Sequence, residues 1–111
     1  MYDPPSARGL CPPPELAIII PTFNEAENVA EIVRRLRACL QDISWEIIFV
    51  DDDSPDGTSD RIQELAHGDI RIRLLRRIGR RGLSSACIEG MLASTAPFLA
   101  VIDADLQHDE T

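Results

Sequence analysis

The stretch VIDADLQHDE, residues 101–110, places Asp103 and Asp105 one residue apart, directly after an apolar run. In an extended segment residues i and i+2 point to the same side, so these carboxylates can serve one metal ion or divide between a metal and a ribose. Mg²⁺ or Mn²⁺ suits such donors, because hard cations take oxygen ligands and commonly use one or two protein carboxylates plus phosphate and water. The other use of D-A-D is to end a strand and cap the next helix, and so short a motif does not choose between the two. His108 would be a third ligand to Mn²⁺, which accepts imidazole, and only an indirect partner of Mg²⁺.

Two further acidic groups stand in comparable places. Asp51, Asp52 and Asp53 close the run WEIIFV, residues 45–50, and Glu25 follows LAIIIPTFN. For the three aspartates, turn chemistry with S-P-D-G-T (54–58) and binding of ribose hydroxyls or a base edge beyond a strand are both open. Glu25 could instead close a T-x-x-E capping box begun by Thr22. Carboxylates that converge repel one another unless a cation or a hydrogen-bonding ligand joins them. A divalent metal on a diphosphate would supply that partner.

The elements that must position these groups follow from periodicity. LAIII (16–20), closed by Pro21, and WEIIFV are short, continuous, β-branched runs of the kind buried on both faces of a sheet. RIRLL (71–75) alternates and reads as a more peripheral strand, and PFLAVI (97–102) as a fourth. Between them, residues 24–40 repeat apolar positions at helical spacing with acid early and arginine late, which complements the helix dipole. A short helix capped by Thr58 or Ser59 runs through Leu65 and Ala66, and a third covers 83–94. The order β-α-β-α-β-α-β predicts an α/β, Rossmann-like, mostly parallel sheet. Its ligands should sit beyond the carboxyl ends of the strands, where strand order reverses. Residues 21–25, 51–53 and 103–107 should then share one edge.

Composition narrows the classes. The chain of 111 residues carries a net charge of −8, which argues against general nucleic-acid binding. All its basic residues are arginine. Arg71 and Arg73 fit a charged strand edge, whereas Arg76, Arg77, Arg80 and Arg81 fall in a loop before a helix and could attract a phosphate or an anionic membrane surface. His67, near a helix end, reads as structural. Three scattered cysteines suggest neither disulfides nor zinc, and a reduced cytoplasmic setting is expected. Neither a P-loop nor a dinucleotide fingerprint is present, and without lysine the chain lacks an element of the phosphoacceptor receiver pattern.

IIIPTFNEAENV, EIIFVDDDSPDGTSD, RRGLSSACIEGM and VIDADLQH, taken together, resemble the family 2 glycosyltransferases over residues 16–110. Within that family the dolichol-phosphate or polyprenol-phosphate mannose synthases and their bacterial relatives look most similar. The resemblance implies the nucleotide-binding half of a glycosyltransferase-A fold. Pro21, Phe23 and Glu25 match the first motif, which contacts the nucleotide, and Val50 and Asp52 match its base- and ribose-proximal residues. Asp103, Ala104, Asp105 and Gln107 match the D-x-D segment, in which Asp103 and Asp105 hold Mg²⁺ or Mn²⁺ on the diphosphate. Phe23 stands where the family usually has tyrosine, Ser84 where its glycine-rich motif has glycine, and Asp109 where a proline is usual.

The implied reaction is inverting transfer of a hexose, mannose first, from GDP-mannose or a UDP-hexose to a polyprenyl or dolichyl phosphate. Residues 1–15, which hold five of the eight prolines, are expected to form a disordered or extended leader, and 16–111 a truncated donor-binding domain. The acceptor site and any membrane anchor are expected in a C-terminal half that this chain does not carry. The fragment would then bind donor without turnover, with peripheral contact at the cytoplasmic membrane face. The alternative is a non-catalytic nucleotide- or metal-binding fragment.

Overall fold

A computed structural model describes residues 13–78 and 82–104. The elements are β1 (Leu16–Thr22), α1 (Val29–Cys39), β2 (Trp45–Asp51), α2 (Thr58–Gly68), β3 (Ile72–Arg76), α3 (Leu83–Leu92) and β4 (Phe98–Val101). They build one parallel sheet in the order β3-β2-β1-β4. β1 and β2 pair from Leu16↔Trp45 to Thr22↔Asp51, β2 and β3 from Ile47↔Ile72 to Asp51↔Arg76, and β1 and β4 from Leu16↔Phe98 to Ile19↔Val101. The parallel α/β sheet expected from the sequence is therefore present, with β3 at an edge.

Strand alternation splits the core into two layers. Ile18, Ile20, Trp45, Ile47 and Phe49 pack with Val29, Ile32 and Val33 of α1 and Ile62 of α2. Ala17, Ile19, Ile48 and Val50 face the opposite way and pack with Ala86, with Met91 against them. Helices on both faces explain why LAIII and WEIIFV are unbroken apolar runs. Each buried isoleucine contributes roughly 1.5–3 kcal/mol. Gly90 lets α3 approach closely: a Cβ there would lie 2.4 Å from Ile19 Cγ2 and 3.0 Å from Val50 Cγ2.

Two helices are shorter than their periodicity predicts. α1 begins at Val29 rather than residue 24, because residues 22–26 are tied to β2 and to the loop that follows it. Within α1, hydrogen bonds from Arg34 and then Arg35 bring the Glu31 carboxyl down to about 2. α3 ends at Leu92 rather than Ser94. The Ser94 hydroxyl instead donates to Glu46, a buried carboxylate that also accepts from Arg73 at 2.9 Å. Of the expected leader, residues 1–12 lie outside the described residues. Residues 13–15 are tied to the fold: the Ser44 hydroxyl donates to the Pro13 carbonyl at 2.9 Å, and the Glu15 N–H donates to the Ser44 carbonyl at 2.8 Å.

Candidate functional site

The strand order reverses between β1 and β4, since the chain adds β2 and β3 on one side of β1 and then returns to its other side. Ligands of open α/β sheets bind at the carboxyl ends beside such a reversal. Pro21 marks this place. β1 and β4 pair only as far as Ile19↔Val101, and the Ile102 N–H then donates to the Ile19 carbonyl at 3.1 Å. The Thr22 carbonyl accepts from the Asp52 N–H at 3.1 Å, so by alternation Pro21 faces the β4 side, beyond the last rung. Its missing N–H costs no ladder bond there, and the two strands part.

The loop that leaves β1 is held by side chains from the S-P-D-G-T turn. N–H groups of Asn24, Glu25 and Ala26 donate to Ser54 Oγ at 2.9 Å, Thr58 Oγ1 at 3.0 Å and Asp56 Oδ2 at 3.3 Å. Asn24 adopts a left-handed φ of 59°, a conformation asparagine tolerates better than most residues. The Thr22–Glu25 capping box does not form: the Thr22 hydroxyl donates to Asp51 at 2.8 Å, inside a strand. Thr58 and Ser59 do not cap α2 either, as their hydroxyls serve Asp56 and Asp51, and Asp56 Oδ1 accepts the Thr58 N–H at 3.0 Å. Burial pushes the Asp56 carboxyl up, but the Thr58 hydroxyl and the N–H groups of Ala26 and Thr58 outweigh it and hold the carboxyl below its usual value.

The three adjacent aspartates have three different environments. Asp51 is fully buried and accepts from Thr22 Oγ1, Ser54 Oγ, the Ser54 N–H and Ser59 Oγ at 2.6–3.0 Å. Four donors fill the four acceptor positions of a carboxylate, so Asp51 serves the turn. Asp53, at φ 56°, accepts from Arg76 at 2.8 Å on the surface. Asp52, with 13% of its side chain exposed, accepts a fork from Arg77: Nε to Oδ1 at 2.7 Å and Nη2 to Oδ2 at 3.1 Å.

Arg77 is fully buried. Its Nη1 donates to Ser85 Oγ and Glu89 Oε2 at 2.9 Å, and Nη2 also donates to the Gly82 carbonyl at 3.1 Å. The bond to Asp52 raises the Arg77 pKa further, burial opposes this, and Glu89 adds to the rise. This corrects the expectation of four loop arginines open to phosphate: Arg76 ends β3 and pairs with Asp53, and Arg77 is enclosed. Arg80 and Arg81 lie outside the described residues.

The other expected site residues fall as follows. Phe23 is 38% exposed, and Glu25 is half-buried. Val50 is fully buried beneath α3, which leaves only its main chain to meet a ligand. Asp103 is exposed beyond β4 and Ala104 is buried; Asp105, Gln107 and His108 lie outside the described residues. Asn28, which the sequence reading passed over, joins two of the segments: its Nδ2 donates to Glu25 Oε1 at 2.9 Å and reaches the Ala104 carbonyl at 3.5 Å. Its place within FNEAEN, shortly after Glu25, was the available signal. Among the described residues no three metal-ligating side chains cluster. The described donor at the D-x-D position is a carboxylate oxygen, which fits a hard divalent cation.

A groove of about 1140 Å³ opens at the amino edge instead, lined by residues that include Arg37, Ser44, Trp45, Asp69 and Arg71. There Asp69 accepts from Arg37 and Arg71 at 3.0 Å each, and Arg71 stacks 3.9 Å from the centre of the Trp45 ring. Its volume does not make it the site, because strand starts in such sheets lack the crevice formed where order reverses.

A parallel four-stranded sheet with helices on both faces, reversing between β1 and β4, is an α/β architecture shared with glycosyltransferase-A folds. The chain belongs to glycosyl transferase family 2, whose profile matches residues 17–111. It is 44% identical over 94 residues to a dolichol-phosphate mannosyltransferase of Pyrococcus furiosus, covering 85% of this chain and 26% of that protein. It is 37% identical over 97 residues to the dolichol-phosphate mannosyltransferase of Saccharomyces cerevisiae, covering 85% of this chain and 36% of that one. Among solved structures, a mannosyltransferase of Pyrobaculum calidifontis in complex with GDP-Man and Mn²⁺ superposes with a TM-score of 0.68 at 27% identity, over 85% of this chain and 28% of that one. The chain thus spans about a quarter to a third of the length of these relatives.

Proposed function

We propose that residues 16–111 form the donor-binding part of a longer glycosyltransferase domain that moves a hexose, mannose first, from a nucleotide diphosphate sugar to a polyprenyl phosphate. The observation that carries this reading is the reversal of strand order between β1 and β4, with the residue 21–25 loop, Asp52 and Asp103 all following the carboxyl ends of their strands. In this reading Pro21, Phe23 and Glu25 border the nucleotide, with Phe23 offering a ring face to the base. Val50 contributes main-chain atoms, and Asp52 accepts from the ribose side. Asp103 and Asp105 hold a divalent cation, Mg²⁺ or Mn²⁺, while Ala104 and Gln107 flank the diphosphate. When bound, that cation supplies Lewis-acid stabilisation of the negative charge gathering on the diphosphate.

The residues of this chain then do mainly positioning. Thr58, Ser54 and Asp56 fix the β1 loop, and Asn28 ties it to the end of β4. Such orientation is worth several orders of magnitude in rate when the acceptor is aligned for attack. A lipid phosphate is already ionised near neutral pH and attacks the anomeric carbon from the face opposite the diphosphate, inverting it without a protein base. The residues given roles here all serve the donor, so donor binding is the activity read from them. A lipid acceptor sets the work at a membrane surface, and use of a soluble nucleotide sugar suits its cytoplasmic face. No helix among the described residues is long and apolar enough to cross a membrane.

Calorimetric titration with GDP-mannose tests the reading. Binding is expected with Mn²⁺, lost on chelation, and weakened about tenfold or more in Asp103→Asn, in line with the loss of a charged contact. Absence of metal-dependent binding, or an unchanged affinity in Asp103→Asn, would overturn it.

A further inference from the structure

Asn28 occupies the N-cap of α1, a position that favours asparagine because its side-chain oxygen can accept from an N–H of the first helical turn. Its side chain makes no such bond. Nδ2 instead donates to Glu25 Oε1 at 2.9 Å and reaches the Ala104 carbonyl at 3.5 Å. Both of these partners accept, so a side chain that joins them must bring two donors, which the carboxamide NH₂ does. Aspartate and serine cap a helix about as well as asparagine. Neither could hold both partners: an ionised aspartate has no donor, and serine has one.

Ala104, the middle residue of D-A-D, is held twice. It is buried in the core layer that also contains Val29 and Ile32 of α1, and its carbonyl, on the peptide bond that leads to Asp105, meets Asn28. Glu25 lies in the loop after β1, whose main chain is fixed from the β2 side by Ser54, Thr58 and Asp56. Asn28 carries that order across to residue 104, between the two aspartates. Its side chain thus spans the point of reversal, from the loop after β1 to the segment after β4.

We infer that Asn28 is a positioning residue that sets the D-A-D segment against the β1 loop, so that part of the gain in donor affinity brought by a divalent cation depends on its carboxamide. This rests on the reading of the carboxyl edge as the donor site, with Asp103 and Asp105 holding the cation. Asn28 acts through its neighbours: it fixes the main chain between the two carboxylates.

The test measures the affinity of the 111-residue chain for GDP with Mn²⁺ and with EDTA, and takes the ratio of the two as the metal gain. Asn28→Ser keeps the cap, so its urea midpoint should stay near the wild-type value, while its metal gain should fall about three- to tenfold, the worth of one hydrogen bond. Asn28→Asp should lose at least as much, since it sets acceptors against acceptors. A role in capping or stability alone would lower the affinities with Mn²⁺ and with EDTA together and leave the gain intact, which would overturn the inference. Should neither variant fold, the wild-type Asn28 Nδ2 proton resonances decide: with GDP present, they should shift when Mg²⁺ is added. Unmoved signals would overturn the inference. A wild-type GDP affinity that does not respond to Mn²⁺ would instead overturn the metal-dependent donor site itself, and the inference with it.

Discussion

At the amino edge of the sheet, Asp69 takes hydrogen bonds from Arg37 and Arg71, whose side chains are 44% and 41% exposed. At the carboxyl edge, Asp52 takes its fork from an arginine with no exposure. Both edges thus carry carboxylate–arginine pairs, and the amino edge adds a groove and an aromatic stack. The difference lies in what the pairs leave over. The amino-edge pairs are half-exposed and complement one another above strand starts. At the carboxyl edge Asp53–Arg76 is exposed too, but Asp52–Arg77 is buried and ties the end of β2 to α3. Charge and concavity alone would favour the amino edge, whereas strand order favours the carboxyl edge.

The sharpest way to break the carboxyl edge is Asp51→Ala. It would leave four donors without their buried acceptor, and about 3 kcal/mol or more should be lost, measured by urea denaturation. A loss below about 1 kcal/mol would mean that the turn does not depend on Asp51. Next comes Gly90→Ala, which drives a methyl into Ile19 and displaces α3, the helix that carries the partners of Arg77. Overpacking of this kind costs about 1–3 kcal/mol, and GDP affinity should fall with stability.

The amino edge should respond less. Asp69→Asn removes half-exposed ion pairs and should cost about 1 kcal/mol or less, with GDP affinity unchanged; a weakened affinity would shift attention to that groove. The smallest effect is in pH. Burial pushes the Asp69 carboxyl up, but bonds from Arg71, its side chain and N–H, and from Arg37 hold it below the ordinary 3.8. A depressed carboxyl contributes stability above its unfolded value and loses it as pH falls through the folded one. Wild-type stability should therefore drop more steeply than that of Asp69→Asn below about pH 4, as followed by denaturation at pH 6 and pH 3.

Much of this was legible in the residues. The unbroken runs at 16–20 and 45–50 give two central strands buried on both faces, and the alternation at 71–75 gives an edge strand. The reversal of strand order was not readable, because periodicity does not say which side of β1 receives β4. The three aspartates illustrate the same limit at the site. Their spacing indicates that neighbours face opposite sides of a strand, but not that hydroxyls of Thr22, Ser54 and Ser59 fill one side and Arg77 the other. Arg77 looked like a loop arginine because its partners, Asp52, Gly82, Ser85 and Glu89, are brought together only by the fold. Thr22 and Glu25 have capping-box spacing, yet Thr22 stays in β1, where the ladder to Asp51 outweighs local capping.

The account stands most directly on which edge meets the nucleotide. Amide chemical shifts of the chain, recorded while GDP-mannose and Mn²⁺ are added, would map it. Signals of residues 22–25, 51–52, 85–86 and 102–104 should move, and those of 41–45 and 68–71 should stay in place. Movement confined to residues 41–45 and 68–71, or no movement at either edge, would contradict it.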